Sequence, residues 1–275
     1  MDAKMSGATT QTQRCIEDFG EQWSQYPENE GLYASVETLQ DICGDLLNIG
    51  EFEGKTIADI GSGSGRIVNM LLDAGAKKVT ALEPSAAFDV LRRNTSDRAD
   101  RIVYLRAIGG GGELPPNSFD FALSIGVMHH IPDPAPAMRE MFESLRGGGK
   151  AIVWLYGREG NGLYLFFVRP LRVLTSRMPH KVLHAFVKFI AILLNGYICL
   201  CSHVKLPMYL YMRNVVGKWS RHIRFVTIYD QLNPAYAKYY RRDEAEKLMS
   251  DAGFINVRAY HRHNYSWTML GEKVV

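Results

Sequence analysis

Three glycines at alternate positions form the most chemically suggestive stretch of the chain, Asp59-Ile-Gly61-Ser62-Gly63-Ser-Gly65. The apolar run before it, Thr56 to Ile60, has the length of a buried strand, and the run from Ile67 has helical spacing. A strand, a glycine turn and a helix can hold a nucleotide-like ligand, because a turn without Cβ atoms lets the backbone approach it closely. A glycine-rich turn that binds no ligand has the same local pattern, so other residues must show whether this turn binds one.

An acidic residue closes the second predicted strand at Glu83-Pro84. It lies 18 residues after Gly65, close to the spacing of about 20 for an acid that binds ribose hydroxyls. An acid at that spacing fits NAD and S-adenosylmethionine equally, because both ligands contain a ribose. The order Gly61-x-Gly63-x-Gly65 departs from the G-x-G-x-x-G of dinucleotide sites, and Asp59 places a carboxylate where a ligand's ammonium would lie. This favours S-adenosylmethionine, which carries no phosphate.

Four motifs in this order make the chain similar to the class I S-adenosylmethionine-dependent methyltransferases, in the branch typified by ubiquinone/menaquinone-biosynthesis enzymes. They extend over about residues 55–156. The motifs are Asp59 to Gly65, Ala81 to Pro84, Phe119 to Asp133 with its His-His-Ile-Pro-Asp string, and Leu145 to Gly149. The resemblance implies S-adenosylmethionine as the cofactor. It also implies a doubly wound, Rossmann-like α/β fold with a seven-stranded sheet whose last strand is antiparallel.

The resemblance implies a set of cofactor-binding residues, namely Asp59, Gly61, Ser62, Gly63, Gly65, Glu83, Pro84, Ser124 and Ile125. One position departs from the branch. Five residues before Pro115, where the branch often has an acid that meets the adenine amino group, this chain has Gly110. The adenine contact then falls either to backbone groups around Gly110 or to Glu113.

A methyl group on a sulfonium is already activated, so the protein must position a nucleophile and supply a base only if that nucleophile holds its proton. His129 and His130 follow the fourth predicted strand, at the edge where ligands bind. They are the candidate catalytic bases, because histidine titrates near neutral pH; the alternative is that they cap the following turn. Candidate substrate contacts are Trp23, Tyr26, Tyr229, Tyr236 and His261. Trp23 and Tyr26 form either a lid or an anchor for the N-terminal segment, and the tyrosines line a pocket or only pack.

Predicted strands and helices alternate around these residues, which indicates a parallel, doubly wound sheet. We expect strands at 56–60, 79–82, 101–108, 119–125 and 151–156, helices at 35–47, 85–94, 135–145 and 243–252, and a closing hairpin of 255–261 and 267–271. Residues 1–14 are polar and are expected to be disordered or loosely attached. The predicted domains are an N-terminal helical segment or lid (1–54), a cofactor-binding core (55–157), a basic apolar helical cap (158–240) and a C-terminal helix and hairpin (241–275).

The segment inserted after the fifth strand is basic and apolar. Between Arg158 and Arg224 there are eleven Lys/Arg and one acid, although the whole chain has 32 and 29. Its longest uncharged stretch, Phe189 to Val204, is shorter than the roughly 20 residues of a membrane span, so we expect it not to cross a membrane. Residues 158–224 either make peripheral contact with an anionic membrane, form an apolar pocket with a basic rim, or pack in the cap or a dimer interface.

The composition of the chain bears on the number of domains, the cellular compartment and the kinds of partner. The chain has 275 residues, of which 47% are hydrophobic and 22% charged, as in one globular domain with an insertion. No secretory pattern precedes Gln13, and the four cysteines lack zinc-like pairing, so we expect a cytoplasmic protein without a metal, with a peripheral membrane position as the alternative. Basic residues interleave with aliphatic ones, so no nucleic acid partner is expected.

The sequence therefore predicts an S-adenosylmethionine-dependent methyltransferase that acts on oxygen, nitrogen or carbon of a small-molecule or lipid-like, anionic acceptor in a biosynthetic pathway. The alternatives are a dinucleotide-dependent oxidoreductase and a non-catalytic S-adenosylmethionine-binding protein. The sequence indicates neither the acceptor nor the oligomeric state.

Overall fold

The computed structural model describes residues 2–29 and 31–274, with side chains from Thr10 onward. The chain forms two compact units. The sheet unit combines the chain up to Gly162 with the segment from Tyr236 onward, and the helical unit is Leu163–Ala235. The insertion predicted at 158–240 is thus slightly shorter in the structure.

The sheet unit contains a seven-stranded sheet of order β3-β2-β1-β4-β5-β7-β6. Its strands are β1 Thr56–Ile60, β2 Lys78–Leu82, β3 Ile102–Leu105, β4 Phe119–Ile125, β5 Leu145–Tyr156, β6 Ile255–Arg262 and β7 Ser266–Glu272. The first five strands are parallel, and β7 runs antiparallel to both of its neighbours, which confirms the predicted fold. The strand order reverses between β1 and β4, the position at which open α/β sheets bind ligands.

Ten α-helices complete the part of the chain that the structure describes. They are α1 Asp2–Gln25, α2 Val36–Cys43, α3 Arg66–Asp73, α4 Ala87–Asn94, α5 Ala135–Ser144, α6 Gly162–Thr175, α7 His180–His203, α8 Tyr209–Asn214, α9 Arg221–Leu232 and α10 Arg242–Asp251. The Ser35 side chain caps α2 by accepting the Thr38 N–H, and the Glu244 side chain caps α10 by accepting the Arg241 N–H.

A hydrophobic core covers each face of the sheet. Alternation along β1 sends Ile57 to one face and Ala58 to the other. Ile57 belongs to a core with residues of α2 and α3, and Ala58 belongs to a core with residues of α5 and α10. The sheet is therefore buried on both sides, and polar side chains collect at the carboxyl ends of its strands.

Several predicted boundaries are corrected. Of the two alternatives for residues 1–14, disorder is wrong for the described part, because α1 begins at Asp2, whereas loose attachment stays a prediction; Met1 lies outside the described residues. Strand β3 ends at Leu105 rather than 108, and a turn follows in which the Gly111 N–H donates to the Ile108 carbonyl. Strand β5 begins six residues earlier than predicted, at Leu145, because Leu145 pairs with Phe119 before a bulge.

The helical unit is built from α6 to α9. Helix α7 packs on α9, where His180 Nδ1 lies 2.6 Å from the Tyr229 hydroxyl and Arg224 donates to Asn195 Oδ1 at 2.6 Å. Among the described residues, α7 is the one helix long and apolar enough to cross a membrane, judged by length and composition alone. The expectation that it does not cross one remains a prediction.

Candidate functional site

The glycine loop connects β1 to α3 in a conformation that requires glycine. Gly61, Gly63 and Gly65 have φ of +79°, +52° and +86°, in the left-handed region. A Cβ on Gly61 would lie 2.4 Å from Val127 Cγ2, so no larger residue fits there without rearrangement. The Gly61 N–H donates to the Leu82 carbonyl at 2.8 Å and ties the loop to the end of β2.

Asp59 lies at the end of β1 and is 1% exposed. Its Oδ2 atom has no hydrogen-bond partner among the described residues. Burial raises the pKa of Asp59 to about 7, against the opposing effects of Ser62 and Arg66. A buried carboxylate without a partner is unfavourable, and a cationic ligand group would satisfy it. The ammonium of S-adenosylmethionine is such a group, so this residue fits the cofactor.

Glu83 joins the glycine loop to the start of α4. Its Oε2 accepts the Gly63 N–H at 2.8 Å, while Oε1 accepts the N–H and the hydroxyl of Ser85 at 2.9 and 2.5 Å. An ionised carboxylate can accept about four hydrogen bonds, so Oε2 retains capacity for a ribose hydroxyl. Pro84 follows Glu83 and is half-buried. These contacts fit the predicted role of Glu83 in binding ribose.

Helix α1 crosses the carboxyl edge of the sheet and covers the glycine loop. The position that a Gly63 Cβ would take lies 3.4 Å from Trp23 Nε1. The Phe19 ring lies 4.7 Å from the ring of His130. Tyr26 is buried, and burial raises the pKa of its hydroxyl. Trp23 therefore lies directly beside the glycine loop, whereas Tyr26 is buried; whether they form a lid or an anchor stays a prediction.

Two asparagines that sequence reasoning missed fasten the N-terminal segment to the loop. Asn29 donates to the Ser64 carbonyl at 3.0 Å and accepts from the Ser64 hydroxyl at 2.8 Å. Asn94 donates to the carbonyls of both Pro27 and Ser64, at 2.7 and 2.9 Å. No sequence signal identifies these asparagines, because their partners are distant in the chain. Ser64 is 35 residues from Asn29 and 30 from Asn94, and Pro27 is 67 residues from Asn94.

The loop after β3 is held by a buried carboxylate, Glu140 of α5, that the sequence analysis also missed. Glu140 is 6% exposed; its Oε2 accepts the Gly110 N–H, and its Oε1 accepts the Leu114 N–H at 2.9 Å. A Cβ on Gly110 would lie 2.9 Å from the Ala137 nitrogen, so Gly110 packs directly on α5. Glu113 is exposed. The sequence did contain a signal for Glu140, because this acid lies on the apolar face of an amphipathic helix, where a charged residue is unusual.

The two histidines differ in their surroundings. His129 is fully buried, and its ring lies 3.8 Å from the ring of Tyr156 at 31°. His130 Nδ1 lies 2.8 Å from the Tyr236 carbonyl oxygen, and its ring contacts Phe19. A carbonyl only accepts hydrogen bonds, so Nδ1 carries a proton, and the neutral ring has its lone pair on Nε2. Burial raises the pKa of the Tyr236 hydroxyl.

The remaining predicted residues lie in different places. Ser124 donates to the Ile60 carbonyl at 3.2 Å, so Ser124 and the adjacent Ile125 lie beside the end of β1. His261, near the end of β6, stacks on Trp267 with ring centres 4.1 Å apart, and burial lowers the pKa of its imidazole. Tyr229 belongs to the helical unit and is fully buried there. The structure thus gathers the cofactor candidates at the ends of β1, β2 and β4.

Comparisons with known proteins bear on the same region. A family model described as a methyltransferase domain matches residues 58–153. An uncharacterized methyltransferase of Mycobacteroides abscessus is 33% identical over 136 residues, which are 46% of this chain and 52% of that protein. A tRNA U34 carboxymethyltransferase of Shewanella sp. strain ANA-3 is 30% identical over 130 residues, 45% of this chain and 38% of that protein. The chain thus spans about half or less of the length of these curated relatives.

Solved structures agree with the fold. A crystal structure of an S-adenosylmethionine-dependent methyltransferase from Mesorhizobium loti has a TM-score of 0.52 and 17% identity, over 88% of this chain and 100% of that one. None of these comparisons singles out the ubiquinone/menaquinone branch. The matched residues include Asp59, the glycine loop, Glu83 and both histidines. Residues 58–153 therefore match a methyltransferase domain, whose cofactor is S-adenosylmethionine, and the fold is that of the solved S-adenosylmethionine-dependent methyltransferase.

Proposed function

We propose that the protein transfers the methyl group of S-adenosylmethionine to oxygen, nitrogen or carbon of a small-molecule or lipid-like acceptor in a biosynthetic pathway. The observation that carries this proposal is the pair of buried carboxylates beside the glycine loop. Asp59 Oδ2 has no described partner and suits an ammonium, and Glu83 Oε2 can accept a ribose hydroxyl. NAD would bring a negatively charged pyrophosphate to this loop, where the buried carboxyl group of Asp59 disfavours it.

His130 is the proposed general base for an acceptor that must lose a proton. Its Nδ1 donates to the Tyr236 carbonyl, and this hydrogen bond orients the ring. The lone pair of Nε2 then points away from Tyr236. His129, whose ring packs on Tyr156 and whose carbonyl accepts the Lys238 N–H at 2.8 Å, is proposed to hold this turn in place.

Calorimetry tests the cofactor directly. We expect the full-length protein to bind S-adenosylmethionine and not NAD. Binding of NAD without binding of S-adenosylmethionine would overturn the proposal. The acceptor is then sought by mass spectrometry as a gain of about one methylene unit, with free acids, phospholipids and unmodified tRNA as separate arms. The tRNA arm is included because one relative is named as a tRNA-modifying enzyme.

The role of His130 is tested once an acceptor is known. We expect His130→Gln to lower kcat by about 10²–10⁴ and to remove the acidic limb of the kcat–pH profile, without changing the affinity for S-adenosylmethionine. His129→Gln is the comparison and should instead lower thermal stability. An unchanged pH profile in the His130 variant would show that it is not a base.

The proposal also places the protein in the cytoplasm, supported by four free thiols.

A further inference from the structure

One face of α7 is apolar and exposed along its length. Val182, Phe189, Leu193 and Leu200 follow helical spacing and are each at least half exposed. The opposite face is buried within the helical unit, and it includes Leu183, Val187 and Ala191. This helix is therefore apolar on both faces, although only one of them is covered.

Helix α6 and the segment beginning α8 also carry exposed apolar side chains. Phe166 and Phe167 are 72% and 62% exposed, their rings 5.2 Å apart. Further exposed apolar side chains of the helical unit are Leu163, Val173, Leu174, Ile192, Val204, Met208 and Leu210. Isolated exposed apolar residues are ordinary, but a concentration of them on three adjacent helical segments marks an interaction surface.

The charge of the helical unit identifies the kind of partner. Residues 163–235 contain ten Lys/Arg and one acid, Asp230. Eight of the ten basic residues are exposed, namely Arg169, Arg177, Lys181, Lys188, Lys205, Arg213, Lys218 and Arg221. Lys181 and Lys188 are one helical heptad apart and flank the apolar stripe of α7. Long apolar side chains bordered by lysine and arginine are typical of helices that lie in the interface of an anionic membrane.

We propose that the exposed face of α7 docks on an anionic lipid bilayer, with the helix lying along the surface. The proposal is independent of the reaction proposed above. A second copy of this chain is disfavoured as the occupant, because two identical surfaces would bring like charges together. A span through α7 is disfavoured because Asn195 and His180 hold α9 to this helix, and Lys181 and Lys188 would enter hydrocarbon.

Flotation of the full-length protein with vesicles tests the docking. We expect co-flotation with vesicles of phosphatidylglycerol and phosphatidylcholine at low salt, weak binding to pure phosphatidylcholine, and release at high salt. Phe189→Glu with Leu193→Glu should abolish flotation. The matched control is Ile255→Glu with Val274→Glu, which places the same two charges on exposed apolar positions of the sheet unit and should float as the wild type does.

A second pair of variants tests the charge. Lys181→Ala with Lys188→Ala should weaken binding to the anionic vesicles by about 25-fold, at about fivefold for each lysine. Lys77→Ala with Lys247→Ala, both exposed in the sheet unit, should not change binding. All variants should bind S-adenosylmethionine normally by calorimetry, which separates failure of docking from failure of the proposed function.

Three results would overturn the proposal. The protein could stay entirely soluble with anionic vesicles at low salt. It could resist extraction by alkaline carbonate, which would show a span. It could form a dimer in sedimentation that Phe189→Glu dissociates, without any flotation, which would show that this face joins two copies.

Discussion

The buried carboxyl group of Asp59 lowers stability when it is ionised, and the same group is the one proposed to bind the ammonium of the cofactor. Its pKa is raised from 3.8 to about 7 in the folded protein because the carboxyl group is buried. Between these values the folded state holds a proton that the unfolded state has released. The stability that this proton contributes is fully present below pH 3.8 and is lost as the pH rises through about 7. A bound ammonium would reverse the preference and favour the ionised form.

Asp59→Asn tests this balance. Wild-type protein without cofactor should lose about 2–3 kcal/mol of unfolding free energy between pH 5 and pH 8 through this residue, and the asparagine variant should lose less. Urea unfolding at the two pH values measures the difference. Calorimetry should show weaker S-adenosylmethionine binding by the variant, and a wild-type affinity that rises with pH toward 8. Equal pH dependence in both proteins would refute the assignment.

Gly63 tests the close approach of the loop to its ligand. Gly63→Val places a β-branched side chain at φ +52° and beside Trp23, so we expect S-adenosylmethionine binding to fall by at least about 100-fold. The backbone strain should cost about 1–2 kcal/mol and leave the protein folded. Gly54→Val is the matched control, since Gly54 has φ +71° with no atom within 4 Å of its Cβ position. If both variants bind normally, the cofactor lies elsewhere.

Sequence reasoning located the residues that act through local pattern and missed those that act through distant contacts. Asp59, the glycines and Glu83 lie within one strand–turn–helix–strand unit, so their spacing along the chain brings them together. Asn29 and Glu140 reach the loops from 35 and 30 residues away in the chain, to Ser64 and Gly110. The tautomer of His130 likewise depends on the Tyr236 carbonyl, 106 residues away.

At the scale of the element, α5 does more than cover the sheet. The helix presents Glu140 to the Gly110 and Leu114 N–H groups, and thereby shapes the loop that follows β3. In the related branch this loop meets the adenine through an acidic side chain, which Gly110 lacks. Here, α5 holds the loop backbone in place, which fits the alternative in which backbone groups contact the adenine.

The substitution Glu140→Gln tests whether α5 holds the loop that follows β3. The amide nitrogen of glutamine cannot accept a hydrogen bond, so one buried N–H loses its partner at about 1–3 kcal/mol. We expect lower thermal stability and about tenfold weaker S-adenosylmethionine binding. Glu143→Gln changes an exposed residue of the same helix and should alter neither. Unchanged affinity in the Glu140 variant would show that this loop does not contribute to the cofactor site.

Helix α1 shows why an element can escape prediction. Its first residues are polar, and a polar N-terminus without an apolar periodicity usually indicates disorder. In its second half, Phe19, Gly20 and Trp23 meet His130, Ser85 and the Gly63 position. The aromatic residues were recognised as candidates, but their helical arrangement depends on the sheet edge beneath them.

At the scale of the molecule, the sheet unit is interrupted by the helical unit and nevertheless closes on itself. Gly157 and Tyr240 form a bridge between the two ends of the insertion, and the Arg158 N–H donates to the Tyr240 carbonyl at 2.8 Å. The alternation of strands and helices predicted the sheet unit, whereas the sequence of α7, which is apolar on two faces, could not predict which of them is covered. That depends on packing with α9.

Replacement of residues 163–235 by a short Gly/Ser linker tests whether the two units have separate roles. Because the chain ends at the junction are already held together by the pairing of Gly157 with Tyr240, we expect the shortened protein to fold cooperatively and to bind S-adenosylmethionine within about threefold of the full chain. We expect it to lose flotation with anionic vesicles completely. Calorimetry and flotation on the same preparation measure both properties. Loss of cofactor binding in a folded shortened protein would show that the helical unit contributes to the cofactor site, and retained flotation would place the lipid contact on the sheet unit.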